Sequence, residues 1–158
     1  MRLITALLFV LPIVCNAGGK LSLKNNIIHI KKVGRDFALE VSNSGDEMLY
    51  LEIIQERVIN PGKQPELRAR VEALSDPDIF LPLSKISLAP GQIKKIPIQV
   101  ISSPHEKQVW RVTFVNRGAL MSASERELSY LNINFNYGAV IYHYPNAHDG
   151  DEAALQGR

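Results

Sequence analysis

Residues 131–145 read LNINFNYGAVIYHYP, and Leu131, Ile133, Phe135 and Tyr137 alternate there with Asn132, Asn134 and Asn136. A period of two is the signature of a β-strand, with four large apolar groups on one face and three amides on the other. Either that apolar face covers the protein's own core, or it is kept for another molecule. In a sandwich each strand shows one face to the interior, so alternation alone favours the first reading. Two features favour the second. Asparagine is depleted in strands, and "GAVIYHYP" stays apolar after the alternation ends. A long apolar terminal strand is an exposed-edge hazard unless something pairs with it.

Working back from this stretch, strand signals dominate. They are "NIIHIKKV", "FALEVSNSG", "MLYLEIIQERVI", "PDIFLPLSKISLAPG", "IKKIPIQVI" and "QVWRVTFVN". Asn43-Ser44-Gly45, Asn60-Pro61-Gly62 and Ala89-Pro90-Gly91-Gln92 punctuate them with turn chemistry. "QPELRARVEAL" has partly helical spacing but lies between Pro65 and Pro77, and it reads as loop plus strand. About seven short strands with recurring turns predict an all-β, immunoglobulin-like β-sandwich. Residues 117–127 form a long connection before the last strand, and residues 146–158 read as a polar tail.

The 158 residues suit one domain with a core, and the net charge of +2 gives no argument for nucleic acid or an anionic membrane surface. Residues 1–17 have a charged start, an apolar run of about a dozen residues and a small-residue exit, the pattern of a signal peptide. Cleavage is expected after Ala17, followed by a domain over residues 18–145. The protein is therefore expected in the periplasm, without membrane insertion after cleavage. The alternative, acylation of Cys15, fits poorly with Pro12-Ile13-Val14 ahead of it. Cys15 is the only cysteine, so the processed chain must stand on packing alone.

No constellation for catalysis, metal or cofactor emerges. His143, His148, Asp149 and Asp151 cluster near the C-terminus, but a polar tail explains them. Ser122, Ser124 and Glu125 have no His/Asp partner at a meaningful spacing. An enzyme is not expected, and neither a cofactor nor a metal is called for.

Taken together, "RVINPG" (57–62), "LSKISLAPGQIKKIPIQV" (83–100), "VWRVTFVN" (109–116) and "LNINFNYGAVIYHYP" resemble one family. It is the N-terminal domain of periplasmic chaperones of the chaperone–usher pathway, nearest the class serving colonisation-factor and cable pili. The resemblance implies donor-strand complementation, one form of strand addition. Leu131, Ile133 and Phe135, with Tyr137, match the donor positions for a fimbrial subunit. It implies an outer-membrane usher as a further partner, and no cofactor. It also implies a basic pair that anchors the subunit. The matching positions, 140–142 on the last strand, hold no Lys or Arg; on the first strand they fall near Ile27, with Lys24 and Lys31 displaced to either side and His143 a substitute when protonated. The rival expectation is a self-contained structural or adhesive domain whose last strand packs inward.

Overall fold

The computed structural model describes residues 18–117 and 137–146. Ten strands are present among them: β1 (Leu21–Leu23), β2 (Ile27–Ile30), β3 (Phe37–Asn43), β4 (Leu49–Val58), β5 (Arg68–Arg70), β6 (Ile79–Phe80), β7 (Lys85–Leu88), β8 (Ile93–Val100), β9 (Gln108–Asn116) and β10 (Tyr137–His143). One sheet runs β1-β3-β8-β6. The other runs β2-β10-β9-β4-β5, with β7 also paired to β4. This is the expected sandwich, cut into more pieces than seven. The "NIIHIKKV" strand is confined to Ile27–Ile30, and "QPELRARVEAL" yields β5 followed by a 3-10 turn at Val71–Ala73.

Alternation explains which residues the sheets bury. In β3, Leu39 and Val41 point inward; in β4, Leu49, Leu51 and Ile53; in β9, Trp110, Val112 and Phe114. Leu39 and Val41, together with Ile79, Ile96 and Ile98 of their own sheet, meet the β4 and β9 residues of the facing sheet in one continuous core. At roughly 1.5–3 kcal/mol for each large apolar side chain, this burial carries the fold without a disulfide. Gln55 follows the inward period of β4 and is buried, and its amide joins the two sheets. Its Nε2 donates to Ile79 O at 3.3 Å, and its Oε1 accepts from Leu81 N at 2.9 Å. Pro97 is tolerated in β8 because β6 pairs only with Gln99 and Val100. The two Pro-Gly turns form as expected: Gly62 and Gly91 take φ of 80° and 72°, closed by Lys63 N–Asn60 O and Gln92 N–Ala89 O.

One feature of the topology positions the site. The first strand is divided between the sheets. Its lower part, β1, pairs antiparallel with β3 (Leu21↔Asn43, Leu23↔Val41). After a crossing at Asn25 and Asn26, its upper part, β2, pairs parallel with β10 (Val140↔Ile27, His143↔Ile30). Lys24 closes the lower part, with Lys24 N to Glu40 O at 3.1 Å and an ammonium–carboxylate contact to Glu40 at 3.1 Å.

Candidate functional site: the open edge of the last strand

β10 pairs with β9 along its whole length, from Tyr137↔Phe114 to His143↔Gln108. On its other side the first pair is Val140↔Ile27, where Val140 N donates to Asn26 O at 2.7 Å. Among the described residues no strand covers that side at Tyr137, Gly138 or Ala139. Backbone groups alternate sides along a strand. Gly138, two before Val140, therefore turns its N–H and C=O toward the uncovered side. In the parallel register that sets Ile27 opposite Val140, Lys24, Asn25 and Asn26 would fall opposite Tyr137, Gly138 and Ala139, and there the chain instead crosses to the other sheet.

Side chains along β10 also alternate. Ala139, Ile141 and His143 are buried, whereas Gly138 is exposed and Val140 and Tyr142 are partly exposed on the outer face. The "VIY" of the sequence is thus split, with Ile141 inward and its neighbours outward. Tyr137 has the inward parity, and its half-buried side chain packs against the core. Of the four expected donor residues, Tyr137 is described, and it turns toward the protein's own core. Leu131, Ile133 and Phe135 lie outside the described residues, as do the leader (1–17), residues 118–127 of the long connection and residues 147–158 of the tail.

His143 is not part of a polar tail cluster. It closes the inward row of β10 at 1% exposure, and its Nδ1 has no hydrogen-bond partner. Burial pushes its pKa below the ordinary imidazole value, with Asp78 pulling weakly the other way. Its three companions in the metal reading lie outside the described residues. Among the described residues no group of three or more His, Cys, Asp or Glu could hold a metal ion. Asp78 is engaged nearby: Gln108 Nε2 donates to its Oδ2 at 2.5 Å and the Ser102 hydroxyl to its Oδ1. Trp110 Nε1 in turn donates to Gln108 Oε1 at 3.0 Å.

The outer face of the upper half carries groups that the sequence reading missed. His29 stacks on Tyr142 and Tyr144 with ring centroids 5.1 and 5.9 Å apart, and its Nδ1 lies 3.1 Å from the Tyr144 hydroxyl. Lys107 sits over both tyrosine rings, 4.6 and 5.4 Å from their centroids. The signal was present in the alternation of Val140, Tyr142 and Tyr144, but Lys107 arrives from another loop. Lower down, Arg111 grips Glu66 with Nε and Nη2 at 3.3 and 2.8 Å, and Arg68 Nε binds the same carboxylate at 2.5 Å. These contacts hold Glu66 down to about 2, Arg111 being the larger cause. Of the displaced basic candidates, Lys24 is paired with Glu40, Lys31 is exposed, and His143 faces inward.

No family model and no curated protein sequence matches the chain. Solved structures do. The class 5 fimbriae chaperone CfaA aligns at a TM-score of 0.67 and 23% identity, over 80% of this chain and 57% of that one. A chain of the CsuC–CsuE chaperone–tip adhesion subunit pre-assembly complex, from the archaic chaperone–usher Csu pili of Acinetobacter baumannii, aligns at 0.63 and 9% identity, over 88% and 66%. The PapD-like domain 7 of human CEP192 aligns at 0.50 and 13% identity, over 93% and 100%. The likeness is one of fold, and it extends to a protein outside pilus assembly. The chain spans little more than half the length of CfaA.

Proposed function

We propose that this protein is a periplasmic chaperone of fimbrial subunits that lends the lower part of its last strand to an incomplete partner. The open backbone edge beginning at Gly138 carries the proposal, because strand addition needs unpaired N–H and C=O groups beside an alternating apolar row. Leu131, Ile133 and Phe135 share the parity of Tyr137, so in an extended strand they continue the face that Tyr137 turns to its own core. Below Tyr137 that face is offered to the subunit's groove. Each filled position contributes roughly 1.5–3 kcal/mol before ordering costs. The residues have no catalytic role in this scheme, and a usher takes over the subunit by analogy with the resembled family. The leader is removed after Ala17, so the working chain begins at Gly18, which intact-mass measurement of the exported protein tests.

The fold neighbours support the proposal, since one of them is named as a chaperone–subunit pre-assembly complex. The inward packing of Tyr137 favours a second reading, a self-contained domain whose whole last strand is core. Ile133→Asp separates the two. With a fimbrial subunit from the same gene cluster co-expressed in the periplasm, the donor reading expects a folded variant that no longer keeps the subunit soluble. A variant that unfolds, because a carboxylate is buried without a partner, supports the self-contained domain instead.

A further inference from the structure

Among the described residues, nothing around Gly138 requires it to be glycine. Its φ is not positive, unlike Gly18, Gly34, Gly62 and Gly91. A Cβ added there would meet nothing closer than Val112 O at 3.8 Å, an ordinary contact. Glycine weakens a strand interior, and where it persists it marks a bulge or the close approach of a ligand or another backbone. β10 runs in unbroken register with β9 through Gly138↔Thr113, so no bulge explains it. The residue is exposed, and its backbone faces the open edge. Above it on the outer face lies a cavity of about 230 Å³, bounded by Arg68, Arg111, Thr113 and Val140.

We infer that the bare shelf at Gly138 receives an aromatic side chain from the strand that a partner adds to β10, and so selects among partner strands. The inference rests on the strand-addition reading above and goes further by naming the chemistry of one partner position. A residue directly opposite on an added strand has its Cβ about 4.5–5.5 Å away, within reach of the missing side chain's place. A ring laid across a glycine on the neighbouring strand recovers the contact area that the glycine gives up. Thr113 and Val140 supply the apolar floor. The Arg111 and Arg68 guanidiniums, fixed by Glu66, supply a cationic wall that an aromatic face favours. The edge closes two residues above, where Asn26 O takes the Val140 amide, so Gly138 is the uppermost position an added strand can pair with.

The test uses the full chain and a fimbrial subunit from the same gene cluster whose own donor extension has been deleted. Gly138→Ala, Gly138→Val and Ile133→Asp are compared for thermal stability and for subunit captured per mole of protein. The inference expects Gly138→Ala and Gly138→Val to melt no lower than the natural chain while capture falls stepwise, at least tenfold for Val. Replacing the subunit's aromatic residues singly should reproduce that loss at one position. Undiminished capture by Gly138→Val, with Ile133→Asp defective, overturns this inference and leaves the donor strand standing. Capture unaffected by Ile133→Asp, or absent with the natural chain, overturns the donor reading and this inference with it. Should Gly138→Val melt lower, a structural role for the glycine is indicated unless Gly138→Ala melts normally and still captures less.

Discussion

Asn43 lies at the end of β3 with 1% of its surface exposed, and its side chain ties the following turn to the distant Lys20 and Leu88. Its Nδ2 donates to Glu47 O at 2.7 Å and to Leu88 O at 3.1 Å; its Oδ1 accepts from Lys20 N at 3.1 Å and Gly45 N at 3.0 Å. Asn43→Ala strands two carbonyls and two amides. At about 0.5–1.5 kcal/mol net for each bond, the loss is about 2–5 kcal/mol once partial solvent access is allowed for. Against a total of roughly 5–15 kcal/mol this is severe. With a urea slope of about 1–3 kcal/mol/M, the midpoint falls by at least about 0.7 M. Asn43→Asp sharpens the test. It keeps both acceptor bonds but points a carboxylate oxygen at Glu47 O and Leu88 O, which raises its folded-state pKa. The variant is therefore expected to gain stability relative to the natural chain as pH falls through that raised value, because the protonated acid donates one bond again. A loss below about 1 kcal/mol for Asn43→Ala, or no relative recovery of Asn43→Asp in acid, would refute this account of how the N-terminal strand is fastened.

The remaining expectations concern charge and close approach. His143 is held neutral by burial, so its folded pKa lies below the unfolded 6.5; its contribution is whole above that value and is lost as pH falls from it toward the depressed pKa. Urea midpoints between pH 8 and 5 should decline for the natural chain and decline less for His143→Gln; parallel profiles would count against it. Glu66, held at about 2, contributes above 4.5 and loses its contribution as pH drops toward 2, and carboxyl NMR of Arg111→Ala should find its pKa raised. A Cβ at Gly45 would stand 1.9 Å from Gly18 O and 2.6 Å from Lys20 N, so Gly45→Ala should cost more than about 1 kcal/mol by thermal melt.

What the chain disclosed before its structure was local. "FALEV", "MLYLEI" and "VWRVTF" were legible as strands, and the structure buries Leu39, Val41, Leu51, Ile53, Trp110, Val112 and Phe114 from them, because strand period and burial are one signal. The same rule, extended past Tyr137, would have counted His143 as the fourth member of the inward row. Proximity to acidic residues in the sequence drew attention away from it. Gln55 was hidden for a similar reason, since a polar residue on an apolar period reads as an interruption until its two bonds to the facing sheet are seen. The division of the first strand was illegible. "LSL" is too short to register as a strand, and its choice of partner depends on residues about twenty positions away. The uncovered backbone at Gly138 follows from that choice and could not be read from the sequence, where alternation alone favoured a core face and only the resemblance pointed to a donor face. Lys107 above Tyr142 and Tyr144 was hidden likewise, being brought there by the loop before β9.

The crossing at Asn25 and Asn26 acts like the slider of a zip fastener. Every residue moved from β1 to β2 would seal one more residue of β10, about 3.3 Å, and every residue moved back would free one. In the proposed strand-addition reading, the length of seam offered to a guest is thereby encoded in a different part of the chain from the groups that would fill the guest. On that reading, sliding the crossing would lengthen or shorten the grip with the last strand left untouched.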